Sequence, residues 1–155
     1  VAAEPGESDT ISAEAFLVSF DALAQAVRRA RGGATRDGAL TLSQYALLQG
    51  LSGRQAARVR DLAEEAGIAP STATRILDVL ERRAIVRRTR SADDRRGVTV
   101  SLTEAGRESL DSQAAWMRGR QRAFYQRLPA VERELAPDLL VRLAALIDDL
   151  AGGPG

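Results

Sequence analysis

Ser71, Thr72, Thr74 and Arg75 crowd into little more than one helical turn, and their chemistry is that of hydrogen-bond recognition. At 100° per residue, Ser71, Thr74, Arg75, Asp78 and Arg82 gather on one side of a helix, with Thr72 flanking. Ala73, Ile76, Leu77, Leu80 and Ala84 fall on the other. The planar arginine fork donates two parallel hydrogen bonds and so fits a guanine edge or a phosphate, and the hydroxyls suit phosphates or base edges. A plainer reading leaves Ser71 and Thr72 to serve the start of the helix that Pro70 opens. Bond-making chemistry is poorly equipped by comparison. The chain has no cysteine and no histidine, which removes disulfides, thiolate zinc sites, thiol redox sensing and the commonest general base. No glycine-rich phosphate loop is present. The sequence therefore predicts a non-enzyme without metal or cofactor.

All 22 basic residues are arginines, and the net charge is only +1. Its distribution is more informative. From Arg54 to Arg96 there are 11 arginines against 7 acids, a net +4, while the rest carries 11 against 14, a net −3. The positive charge thus sits around the polar helix face, where a polyanion would be met. Arg82, Arg88 and Arg90 are candidates for phosphate contact, with Arg83 and Arg87 in the same class. Arg54, Arg58 and Arg60 read as ordinary surface arginines.

The elements that must carry these residues follow from period and punctuation. A polar segment with Pro5 and Gly6 precedes a helix from about Ile11, whose Phe16, Phe20, Leu23, Val27 and Ala30 recur in steps of three and four before Gly32 and Gly33. Thr41 or Ser43 caps a second helix bearing Tyr45, Leu47, Leu48 and Leu51, which Gly53 stops. A short third helix runs from about Arg60 to Ala66 and closes on Gly67. The fourth begins at Pro70. The period then changes to two: Ile85 to Arg90 and Gly97 to Leu102 read as strands around the charged tip Ser91 to Arg96. Thr103 caps a fifth helix that reaches about Leu128, roughly 36 Å at 1.5 Å per residue. After Pro129, a last helix over about Val131 to Ala151 presents a wide apolar surface.

Two short helices joined by a glycine turn, followed at once by a basic hairpin, form the order of a winged helix-turn-helix. Val59-Arg-Asp-Leu-Ala-Glu-Glu-Ala-Gly-Ile68, Ser71-Thr-Ala-Thr-Arg75, Leu80-Glu-Arg-Arg, Asp94-Arg-Arg-Gly97 and Ser101-Leu-Thr-Glu-Ala-Gly106 resemble the multiple-antibiotic-resistance regulator (MarR) family over about Leu42 to Leu110. The resemblance implies a homodimer in which the first and last two helices associate, and each subunit offers one helix and one wing to a pseudo-palindromic operator. It places Arg96 in the minor groove, with Asp94 orienting it and Arg95 at the backbone; the alternative is a solvated charged loop. It also implies a small aromatic or phenolic effector where the dimer helices meet the reading head. Phe20, Tyr45 and Trp116 are the candidates to line such a cleft, although aromatics at this spacing also serve as core.

The expectation is a mainly α protein with a small β-hairpin. A flexible N-terminus over 1–10 would precede a dimerisation helix over 11–33, a winged helix-turn-helix over 41–102 and C-terminal helices over 103–151. The expected function is ligand-released repression through double-stranded DNA. The alternative is a winged-helix protein-interaction adaptor that binds no DNA. No apolar run approaches the roughly 20 residues that cross a bilayer, and no basic-then-apolar leader opens the chain, so the reading expects a cytoplasmic protein.

Overall fold

A computed structural model of the chain describes residues 7–32, 39–90 and 98–152. Among these residues six helices and three short strands follow in the order α1 (Glu7–Gly32), α2 (Leu42–Gln49), β1 (Ala57–Arg58), α3 (Val59–Glu65), α4 (Pro70–Arg82), β2 (Val86–Arg90), β3 (Val98–Leu102), α5 (Glu104–Arg127) and α6 (Ala130–Gly152). The chain divides into two compact units, residues 1–113 and 114–155, with the boundary inside α5.

The first unit owns the core. Leu47, Leu48, Leu62, Ala73, Leu77, Leu80 and Val100 are completely enclosed, and Leu51, Ile85, Val86 and Leu110 close around them. These residues come from α2, α3, α4, the sheet and the start of α5, so one apolar cluster fixes every element of the reading head. Between the two candidate caps for α2, the structure selects Thr41. Its Oγ1 accepts from the Gln44 N–H at 3.1 Å, and the Gln44 Oε1 accepts from the Thr41 N–H at 3.0 Å, a complete capping box. Ser43 instead donates to the Arg31 carbonyl at 3.2 Å, which ties α2 to the end of α1.

Helices α3 and α4 end alike. At α3 the Ile68 N–H bonds to the Ala63 carbonyl and the Gly67 N–H to the Glu64 carbonyl, with Gly67 at φ +63°. At α4 the Ile85 N–H bonds to the Leu80 carbonyl and the Ala84 N–H to the Glu81 carbonyl, with Ala84 at φ +55°. Both are Schellman closures, and they differ only in which residue takes the left-handed position. Ala84 therefore lies outside α4 and is exposed. This corrects its expected place on the apolar face: the left-handed turn rotates it away from the row formed by Ala73, Leu77 and Leu80.

The sheet has three strands in the order β1-β3-β2, all antiparallel. Strand β1 adds an element to the expected hairpin, with Ala57 opposite Val100 and Arg58 opposite Thr99. In the β2–β3 pairing Val86 faces Leu102, Arg88 faces Val100 and Arg90 faces Val98. Period-two geometry puts Val86, Arg88, Val100 and Leu102 on the face toward the helices. Val98, expected to continue this apolar alternation, is exposed near the outer end of its strand, past the reach of the core.

The junction of β3 and α5 is locked to the turn after α4. The Thr103 hydroxyl donates to the Ala84 carbonyl at 2.7 Å and accepts from the Gly106 N–H at 3.0 Å, and the Thr103 N–H bonds to the Ile85 carbonyl at 3.1 Å. Thr103 thus caps α5 as expected. Gly106 is required here, because a Cβ at this position would collide with the Ile85 carbonyl oxygen.

Helix α1 starts at Glu7, earlier than the expected Ile11, because a first helical turn tolerates the polar and acidic residues that the sequence offers there. Residues 1–6 of the expected flexible N-terminus lie outside the described residues. In the second unit α6 has no buried residue despite its leucines, and it continues through Pro137. No helix among the described residues is long and apolar enough to cross a membrane.

Candidate nucleic-acid interface

Helix α4 is built as a two-sided rod. Ala73, Leu77 and Leu80 anchor it in the core, which leaves Ser71, Thr72, Thr74 and Arg75 exposed on the opposite side. Pro70 occupies the first turn, and Ala69 before it provides no side-chain cap. Among the described residues, the hydroxyls of Ser71 and Thr72 bond to nothing within the chain, so the reading in which they merely serve the helix start finds no support in the contacts. The Thr74 hydroxyl donates to the Pro70 carbonyl at 2.9 Å, which fixes its rotamer and turns its lone pairs outward. Arg75 and Arg82 make no ion pair among the described residues. Four exposed polar side chains therefore sit on a core-anchored element.

One flank of the same exposed side has another task. The Arg88 guanidinium, only 24% exposed, reaches from β2 to the Asp78 carboxylate at 2.6 Å and the Glu81 carboxylate at 3.1 Å. Its second terminal nitrogen donates to the Thr74 carbonyl at 3.2 Å, and its backbone N–H to Glu81 at 3.3 Å. Arg88, expected among the phosphate contacts, directs these hydrogen bonds inward to α4. The signal was available in the sequence: Arg88 shares the strand parity of the buried Val86, and Asp78 and Glu81 are one turn apart. Arg90, at the end of β2, and Arg87 on the outer face remain exposed. Asp94, Arg95 and Arg96, the expected wing contacts, lie outside the described residues.

Arg54 pairs with Glu65 at 2.7 Å, and Arg58 and Arg60 are exposed, in keeping with surface roles. Of the three aromatics expected to line an effector cleft, Phe20 and Tyr45 belong to the first unit and Trp116 to the second. Tyr45 packs against the reading-head core, and its hydroxyl accepts from the Gln49 side chain at 3.1 Å. Phe20 is half-buried and stacks on Phe16 with centroids 6.1 Å apart. Trp116 belongs to the second unit and is 62% exposed. An open cleft of about 570 Å³ in the first unit contains none of these three; Arg54, Arg87, Ser101, Thr103 and Arg107 are among its lining residues. Among the described residues, no group of three acidic side chains is placed to hold a metal.

Comparison with known proteins agrees with this geometry. Residues 40–98 match the model of the MarR family. The helix-turn-helix transcriptional regulator YhbI of Bacillus subtilis is 30% identical over 114 residues, which cover 74% of this chain and 71% of that protein. The PcaV transcriptional regulator of Streptomyces coelicolor superposes with a TM-score of 0.62 at 26% identity, over 70% of this chain and 80% of its own. FabT of Streptococcus pneumoniae, solved in complex with DNA, has a TM-score of 0.69 over 92% of this chain and 99% of its own; at 19% identity it speaks to the fold alone. Members of the family are DNA-binding regulators and not enzymes, which sets aside the adaptor that binds no DNA. A core-anchored helix with an exposed Ser-Thr-Thr-Arg face, a three-stranded wing behind it and these relatives lead to one conclusion: the chain belongs to the MarR family of winged-helix, DNA-binding transcription regulators.

Proposed function

We propose that the protein is a cytoplasmic repressor that holds a pseudo-palindromic operator as a homodimer and releases it on binding a small aromatic or phenolic effector. The observation that carries the DNA part is the exposed row Ser71, Thr72, Thr74 and Arg75 on a helix whose other side buries Ala73, Leu77 and Leu80. Arg75 is assigned to a base edge, and the three hydroxyls to base edges or phosphates. Arg82 and Arg90 are assigned to phosphates. Arg95 and Arg96 are assigned to the wing's contact, with Asp94 as the carboxylate that orients Arg96.

Dimerisation is supported by apolar surface left uncovered on α1, α5 and α6. Phe16, Leu23, Phe124, Leu135, Leu139 and Leu140 are all about half exposed or more, an arrangement that soluble chains bury against a partner. Two recognition helices about 34 Å apart would then meet successive major grooves. The effector part is supported by PcaV, which is also known in complex with its natural ligand, and by the aromatic side chains Phe20, Tyr45 and Trp116. A coupling of about 1 to 3 kcal/mol would give a 5- to 150-fold response.

The test is a gel shift on duplex from the gene's own upstream region, against the Arg75→Ala variant. Salt-sensitive, sequence-selective retention is expected of the wild type. Arg75→Ala should lose about 1 to 3 kcal/mol on the cognate site and relax its base preference. Equal weakening on every sequence would reduce Arg75 to a backbone contact. No retention at low salt would refute the function.

A further inference from the structure

We propose that Arg88 is a positioning residue for DNA recognition, a brace that sets the root of the wing hairpin against the reading half of α4. The inference rests on the DNA-binding reading above and extends it to a residue that touches no DNA. Its bonds land on Thr74, Asp78 and Glu81, three positions on successive turns of one face of α4. The first of these, the Thr74 carbonyl, adjoins Arg75. At the other end Arg88 lies two residues before the last residue of β2, from which the arginine-bearing tip continues.

The location explains why a brace is needed. At the base of the hairpin, Val86 and Val100 are held by the core and Thr103 ties the end of β3 to the turn after α4, so that end is fixed without Arg88. Farther out the strands leave the core, and Val98 is exposed. Arg88 is where packing gives way to polar contact. A guanidinium suits the task because its planar fork holds two carboxylates and a carbonyl in fixed directions, which a lysine cannot do. The arrangement also places two carboxylates on the recognition helix of a protein that must approach a polyanion. Acids there would weaken binding by repulsion if they had no other role.

That last point makes the brace separable from a direct contact. If Arg88 gripped phosphate, Asp78→Asn would free the arginine and delete a repulsive charge, so binding would hold or tighten. A brace requires the opposite. With the full-length protein on the operator duplex, Asp78→Asn and Arg88→Met should each weaken specific binding about three- to tenfold, the range for losing charge-assisted bonds that are partly exposed. Asp78→Glu should recover most of the loss. The slope of log affinity against log salt should stay unchanged, whereas a lost phosphate contact would make it shallower by about one. Amide exchange in the DNA-free protein should quicken in 86–90 and 98–102 for both variants, with the core amides of α4 still protected.

Asp78→Asn binding as tightly as wild type, or strand exchange that does not change, would overturn the brace while leaving the DNA-binding function intact. Failure of the wild type to retain any duplex would instead bring down the function, and the brace's part in recognition with it.

Discussion

Helices α4 and α6 both present a row of leucine and alanine, yet the two rows meet opposite fates. In α4, Ala73, Leu77 and Leu80 are wholly enclosed by partners from α2, α3 and the sheet. In α6, Leu140 is 63% exposed, and no residue of the helix is buried. The difference lies in the company each keeps. The reading head completes its own core within one chain, while α6 in the second unit leaves its apolar residues uncovered. Apolar content therefore states how much surface must leave water, and it does not state whether the cover comes from the same chain.

The largest effect should come from denying α6 its partner. Leu139→Glu with Leu140→Glu is expected to convert dimer to monomer by analytical ultracentrifugation. Loss of the second half-site should lower operator affinity by about 10²- to 10⁴-fold. The reading head should keep its thermal transition, since none of its core residues is touched. Dimerisation that survives both charges would break the comparison, because the uncovered face of α6 would then serve some other purpose.

A middle-sized effect is expected where the reading head is tightest. Gly106→Ala would drive a methyl into the Ile85 carbonyl and force the start of α5 off the turn after α4. The cost should be about 1 to 3 kcal/mol in chemical denaturation, the usual range for overpacking. An unchanged midpoint would mean that this junction yields more easily than the surrounding core. The smallest effect should be a gain. Ala84 holds φ +55°, where an L-residue pays roughly 1 to 2 kcal/mol, and glycine's added chain entropy returns about half of that. Ala84→Gly is thus expected to raise stability by about 0.5 kcal/mol in the same assay. A loss would show that the Ala84 methyl is favoured by its surroundings despite its exposure.

Several features could be read from residues alone because they depend on neighbours in the chain. The Thr103 cap, the Gly67 closure, Pro70 in the first turn and the two-sided character of α4 are all of this kind, since each is a matter of three or four residues and a fixed period. Ala84 escaped because its left-handed turn lacks the glycine that normally announces one. Strand β1 escaped because two residues carry no period, and only pairing with Val100 and Thr99 makes them a strand.

Arg88 marks the boundary between the two kinds of knowledge. As one of 11 arginines in the basic stretch from Arg54 to Arg96 it has the composition of a phosphate contact, and its charge alone says nothing more. Its role is decided by the pleat, which sends it to the inner face, and by the crossing of β2 with α4, which sets Asp78 and Glu81 within reach. Sequence determined which side chains can hydrogen-bond and which faces must be dry, because helix and strand periods are local. Only the tertiary structure decided which of those groups are consumed by the protein itself and which remain for a ligand, because that depends on contacts between residues distant along the chain.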